Sequence, residues 1–230
     1  MSVSFARDAQ VAVISIDDGK ANALSPDVLG AISDGLDKAE GDGASTVLLH
    51  GRPGKFSAGF DLSIMTAGIE PMQQLVTQGG ELLLRIFEYP MPVVAACTGH
   101  ALAGGALLLL VSDVRIADDG PFKIGLNEVA IGMGLPIYAV EFARYRMPPS
   151  AFDSAILGEV FGPQDAARHG YIDAVAEASA VDEALAEAHR LSNLRAGAVR
   201  RTKALARGAI ARHVRDTLAA DMASLTGPPS

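Results

Sequence analysis

Residues 99–111 run Gly99-His-Ala-Leu-Ala-Gly-Gly-Ala-Leu-Leu-Leu-Leu-Val111, and the fold turns on how this stretch is read. It follows an apolar, β-branched run, Val93 to Thr98, and opens a segment with no polar face, which predicts a strand-to-helix turn whose helix is buried all round. Two readings of its glycines stay open. Glycine permits close packing of helix on strand. Alternatively, the first amides of a helix lack intrahelical acceptors and sit at the positive end of its dipole, so the Gly104 N–H can meet a developing negative charge. A phosphate loop is excluded, because G-x-x-x-x-G-K-[ST] needs lysine where Gly105 stands, and no G-x-G-x-x-G occurs.

Upstream, Val11 to Ile16 is a strand-like run closed by the turn Asp17-Asp18-Gly19. Ser25 as cap and Pro26 at the first position open a helix buried along Val28, Ile32 and Leu36. Thr46 to Leu49 reads as a second strand. Met72, Leu75, Val76, Leu82, Leu83, Ile86 and Phe87 then line one face of a long helix stopped by Pro90 and Pro92. Strand and helix in alternation predict right-handed crossovers and an α/β layered fold. After about residue 134 the pattern turns helical: Ser150 to Leu157, Gln164 to His169, Val181 to Leu194 and Ala198 to Leu225, with one short strand at Ile172 to Ala176. The expected division is a core over 1–175 and a helical C-terminal segment over 176–230.

Composition narrows the function. With 230 residues, 49% hydrophobic and 20% charged, the chain has ample apolar surface to bury. A net charge of -8 disfavours a phosphate backbone as partner. One cysteine, Cys97, forms no internal disulfide, and five scattered histidines form no ligand spacing, so neither a disulfide framework nor a metal is expected. The longest run of apolar residues and glycine, Ala101 to Val111, falls short of the ~20 residues a membrane span needs. The N-terminus shows no basic stretch followed by an apolar core, so the expected location is the cytoplasm.

A second loop, Gly51-Arg-Pro-Gly-Lys-Phe-Ser-Ala-Gly-Phe-Asp-Leu62, follows the Thr46 strand; alone it reads as a surface connection with glycine turns. Taken with the first, with Asn22-Ala-Leu-Ser upstream and Ser112-Asp-Val-Arg-Ile-Ala downstream, it resembles the crotonase superfamily of enoyl-CoA hydratases and isomerases, in matching order over residues 11 to about 175. The resemblance implies a ββα spiral core and a CoA thioester lying between the two loops, its oxygen held by the N–H groups of Phe60 and Gly104. It further implies that Ala23, Leu24, Ala58, Asp61, Leu62 and Leu107 surround the substrate, with residues between Met65 and Leu82 shaping the acyl pocket. Phe60 is bulkier than the small residue many members carry, which keeps the amide and alters the pocket. Coenzyme A enters as part of the substrate, and no separate cofactor is implied.

Hydratases of that family use two glutamates on one water. Here Leu107 stands at the first position, while Gly125-Leu-Asn-Glu128 matches the second and is most similar to 3,2-enoyl-CoA isomerases. One base suffices for a 1,3-proton shift, so the resemblance implies that Glu128 carries a proton from the α- to the γ-carbon. The neighbours Val129, Ala130, Ile131 and Met133 imply partial desolvation and a raised pKa. A hydratase and a non-catalytic acyl-CoA binder are the alternatives. Without the resemblance, a lone glutamate on a short helix reads as a solvated side chain.

Arg190 to Arg215 carries eight basic residues and no acidic one. Most are expected on a solvated basic face near acidic neighbours, some reaching CoA phosphates. Terminal helices in the family often lie at subunit contacts, which implies a homotrimer or hexamer. The histidines, His100 included, are assigned structural roles, and no G-x-S-x-G supports a serine nucleophile.

Overall fold

Half-buried and exposed residues alternate along Val3–Asp8 (β1), the pattern of an edge strand with one face on a core. In the computed structural model, which describes residues 2–226, β1 pairs antiparallel with Val11–Ile16 (β2). From β2 onward the sheet is parallel, through Thr46–His50 (β4), Val93–Cys97 (β7), Val114–Ala117 (β9) and Ala174–Val175 (β11), in the order β1-β2-β4-β7-β9-β11. Every residue of β7 is buried, as a central parallel strand covered on both faces should be.

After each of β4, β7 and β9 the chain adds a strand to a second, smaller parallel sheet, Gly54–Ser57 (β5), Gly99–Leu102 (β8) and Ile124–Gly125 (β10), in the order β10-β8-β5. A third pairing joins Ala23–Leu24 (β3) to Gly59–Phe60 (β6). Helices Pro26–Gly41 (α1), Leu62–Met65 (α2), Ile69–Glu88 (α3) and Gly104–Val111 (α4) close each turn of this ββα spiral. The Ser25 hydroxyl caps α1 by accepting from the Val28 N–H at 3.3 Å.

The remaining helices are Ile137–Arg146 (α5), Pro149–Ile156 (α6), Pro163–Arg168 (α7), Ala180–Ser192 (α8) and Ala196–Ser224 (α9). Small residues of α8, Ala180, Ala184 and Ala188, cover the face of the large sheet that carries Val11, Leu48, Val94 and Ala96. The expected strand at Ile172 to Ala176 shrinks to β11, because Tyr171 and Ile172 turn into the main core instead of pairing. Residues 227–230 of the C-terminal segment lie outside the described residues.

The basic run divides in two. Arg190 pairs with Glu187, and Arg215 with Glu88, on the surface. Lys203, half-buried, and Arg207, buried, instead turn inward onto Asp113, at 2.6 and 2.8 Å. Arg207 also donates to the Phe87 carbonyl at 2.7 Å and lies over the Phe87 ring. The idea of a solvated, phosphate-reaching face therefore fails for these two, because both cations are taken up by Asp113, a half-buried partner that only the folded chain supplies. Their cluster pins α9 to the end of α3. The Gln73 side chain then holds the far end of α9, donating to the carbonyls of Ala223 and Leu225 at 3.3 and 3.2 Å. Cys97 is buried, with its thiol donating to the Gly99 carbonyl and burial pushing its pKa up to about 12, so it stays protonated and inert.

Candidate active site

Two turns meet where β6 runs under the start of α4. Ala103 precedes α4 with φ 50° and ψ −122°, backbone that an L-residue adopts only under constraint. Gly104 follows as the first helical residue, so its N–H has no intrahelical acceptor. On the facing strand the Asp61 N–H donates to the Leu24 carbonyl at 3.3 Å. Alternate residues of a parallel strand bond the same neighbour, so the Phe60 N–H points away from β3.

Only glycine allows this approach. A Cβ at Gly59, where φ is +89°, would stand 2.8 Å from the Leu102 carbonyl oxygen, and one at Gly105 would overlap the Ser57 carbonyl. The buried Asn22 amide braces the same corner from behind, donating to the carbonyls of Ile16, Lys55 and Phe56 at 2.8 to 3.2 Å. The Ser57 hydroxyl donates to the Asn22 carbonyl at 2.8 Å.

In front of this corner lies a cavity of about 500 Å³ with a largely apolar wall. β6 and the residues around it supply Ala58, Phe60 and Leu62, and α4 with its lead-in supplies Leu102, Ala103 and Leu107. Met65 and Val76 of the expected acyl-pocket stretch are also on the wall, joined by Leu225 beyond the end of α9. Ala23, Leu24 and Asp61 stand behind it. Ala23 pairs with Gly59, and a Leu24 methyl would lie 3.1 Å from a Cβ at Gly104. Asp61 caps α2 through the Ser63 N–H and hydroxyl, which hold its carboxyl below the usual carboxylate range. His100 is away from the wall, its Nδ1 accepting from the Lys123 N–H at 3.0 Å.

Glu128 closes the opposite side. The Gly125-Leu-Asn-Glu128 segment leaves β10 so close to residues 159–160 that a Cβ at Gly125 would stand 2.7 Å from the Glu159 carbonyl oxygen. The Tyr171 hydroxyl accepts from the Leu126 N–H at 3.1 Å and fixes the segment's path. Glu128 itself is 8% exposed, and among the described residues its Oε2 has no hydrogen-bond partner. Burial pushes its pKa up to about 7, with its own backbone N–H opposing. Val129 and Ala130 do not provide that burial, since both face solvent. Of the four neighbours, Ile131 and Met133 are on the cavity wall, and Tyr138 of α5 completes the lining there. Among the described residues of the wall, Glu128 is the one carboxylate. Asn127, beside it, also has a buried oxygen with no donor among the described residues. The sequence marks Asn127 only as a motif neighbour and gives no signal for Tyr138 or Leu225, which reach the cavity from distant helices.

The sequence profile described as Enoyl-CoA hydratase/isomerase matches residues 6–228. The chain belongs to this family. It is 34% identical over 198 residues to a probable enoyl-CoA hydratase of Bacillus subtilis, covering 83% of this chain and 76% of that one. It is also 34% identical over 173 residues to human mitochondrial enoyl-CoA delta isomerase 1, covering 73% of this chain and 57% of that one. A crystal structure of an enoyl-CoA hydratase/isomerase family protein from Pseudomonas syringae superposes with a TM-score of 0.94 at 39% identity, covering 98% of each chain. The ββα spiral is thus the crotonase fold, and relatives of both names share it. Among the described residues no three His, Cys, Asp or Glu side chains cluster to hold a metal, and no helix is long and apolar enough to cross a membrane.

The raised pKa of Glu128 has a thermodynamic signature. The native carboxyl holds its proton to about pH 7, whereas the unfolded one releases it near 4.5. Between these values the native state binds more protons, so the Glu128 contribution to stability falls as pH rises, by an amount of order 3 kcal/mol across the window. Glu128→Gln does not titrate. In urea unfolding its stability relative to the native sequence should therefore improve by about 2–3 kcal/mol from about pH 5 to about pH 8. A pH-independent difference would mean that the carboxylate is solvated.

Proposed function

We propose that the chain isomerises enoyl-CoA thioesters, moving a β,γ double bond to the α,β position with Glu128 as the single base. The observation that carries this reading is one buried carboxylate whose Oε2 has no partner among the described residues, facing a cavity lined by Leu107, at the position where the resemblance places a hydratase's other glutamate. The thioester oxygen would accept from the N–H groups of Phe60 and Gly104, whose amides flank the corner described above. Loss of an α-proton turns that oxygen into an enolate, and preorganised donors worth ~3 kcal/mol each stabilise it as the charge develops. Glu128 takes the α-proton as carboxylate and returns it to the γ-carbon as acid. A base with a pKa near neutral suits both steps. The substrate brings coenzyme A with it, and the proton shift needs no other cofactor.

Hydration is the second reading, favoured by the relative named a probable enoyl-CoA hydratase. It requires a water held and polarised at the β-carbon, and Leu107 offers that water neither lone pair nor proton. A positioned acid or base is worth ~10²- to 10⁴-fold, which is the expected deficit in hydration. Supplying a β,γ- and an α,β-unsaturated acyl-CoA in parallel, and following the conjugated thioester absorbance, decides between them. The first should be converted and the second hydrated slowly. Glu128→Gln should lose isomerisation by ~10²-fold or more while still binding acyl-CoA. Brisk hydration with no isomerisation would overturn the reading, and binding without either reaction would favour a non-catalytic acyl-CoA binder.

Assembly as a trimer or hexamer belongs to the same proposal. Val129 and Ile131, at 40% and 47% exposure, lie beside Leu157 and Val160, at 70% and 36%, where Gly158 meets Ala130. Such an apolar patch next to the cavity is suited to a subunit contact. Sedimentation should give three chains or a multiple, and a clean monomer at micromolar concentration would contradict it.

A further inference from the structure

Gly79 and Gly80 sit in the middle of α3, a 20-residue helix. Alanine is the better helix former at such positions, so helix stability gives no reason for a glycine pair. Their neighbours do. A Cβ on Gly79 would overlap two atoms of the Phe60 ring, and one on Gly80 would stand 2.9 Å from the Tyr138 ring. Both rings line the cavity. The other edge of the Phe60 ring is bounded by α4, where a Cβ on Gly104 would lie 3.4 Å away.

We infer that Gly79 is a specificity-determining residue: it is the notch in α3 that seats the Phe60 ring, and so sets the room left for the acyl chain. The inference rests on the acyl-CoA reading above. It concerns a side chain that is absent from the wall and touches no substrate, yet decides where a wall residue stands. The Phe60 ring is the end of a side chain whose open side is the cavity, whereas the α3 backbone is packed against α9, so a methyl at 79 moves the ring and not the helix. With α4 behind it, the ring moves into the cavity. Short acyl chains should then still fit, and long ones should not.

The test compares native protein and Gly79→Ala on a butenoyl-length and a decenoyl-length β,γ-unsaturated acyl-CoA. The ratio of kcat/KM for long over short chain should fall ~10-fold or more, the penalty a hydrophobic pocket exacts for an extra methylene's worth of crowding. The loss should fall on the long chain, with the short one within about threefold. Phe60→Leu added to Gly79→Ala should restore the ratio by removing the ring that the methyl displaces. Equal losses on both chain lengths, or no rescue by Phe60→Leu, would overturn the inference. If the native protein turns over neither substrate, the reaction assignment fails, and the ring's position in a crystal structure of Gly79→Ala decides the inference independently: displaced into the cavity supports it, unmoved refutes it. Should Gly79→Ala not fold, Phe60→Leu alone must raise the long-to-short ratio of the native protein, and an unchanged ratio counts against the inference.

Discussion

The structure depends on two pieces of backbone being pressed together with no side chain between them. Gly59 lies against the Leu102 carbonyl and Gly105 against the Ser57 carbonyl. This contact carries the turn after β5 under the first turn of α4, and Ala103 accepts a positive φ so that the helix can begin there. Such strain persists only where surrounding contacts over-determine it, and here the Ala103 N–H donates to the Gly125 carbonyl and its carbonyl accepts from the Leu107 N–H, both at 3.0 Å. The close-packing reading of the glycine loop describes this arrangement, and the proposed anion seat would be built on it. Packing this tight sets β6 directly against the first turn of α4.

Against that rigid corner the chain sets a group that it leaves dissatisfied. A buried acceptor that finds no protein donor costs about 1–3 kcal/mol, and among the described residues Glu128 and Asn127 each hold one on the same wall. A solvated or ion-paired Glu128 would be more stable and would stay ionised far below neutral pH. The fold takes up that cost through its extensive core, while the Asp113 cluster fixes where α9 runs. The fastening matters to the site, because the end of α9 delivers Leu225 to the cavity wall.

Much of this was legible in the sequence where local chemistry decides. The apolar face from Met72 to Phe87 is α3, the Ser25-Pro26 pair starts α1, and the two glycine loops do lie together. The apolar neighbours of Glu128 point to its burial for a reason that is only half right: Ile131 and Met133 line its cavity, but Val129 and Ala130 face outward. What stayed hidden depends on long-range packing. Nothing in the spacing of Arg190 to Arg215 tells Lys203 and Arg207, which meet Asp113, from their solvated neighbours. Nor does a glycine pair in a helix announce which aromatic ring it seats, since Phe60 and Gly79 are joined only by the fold.

The central claim is geometric, and a crystal structure with a bound saturated acyl-CoA thioester tests it most directly. The account predicts a thioester oxygen about 3 Å from the nitrogens of both Phe60 and Gly104. It also predicts the Glu128 carboxyl about 3–3.5 Å from the α-carbon, within the range of a near-attack arrangement. A thioester oxygen bonded elsewhere, or an α-carbon out of reach of Glu128, would contradict it.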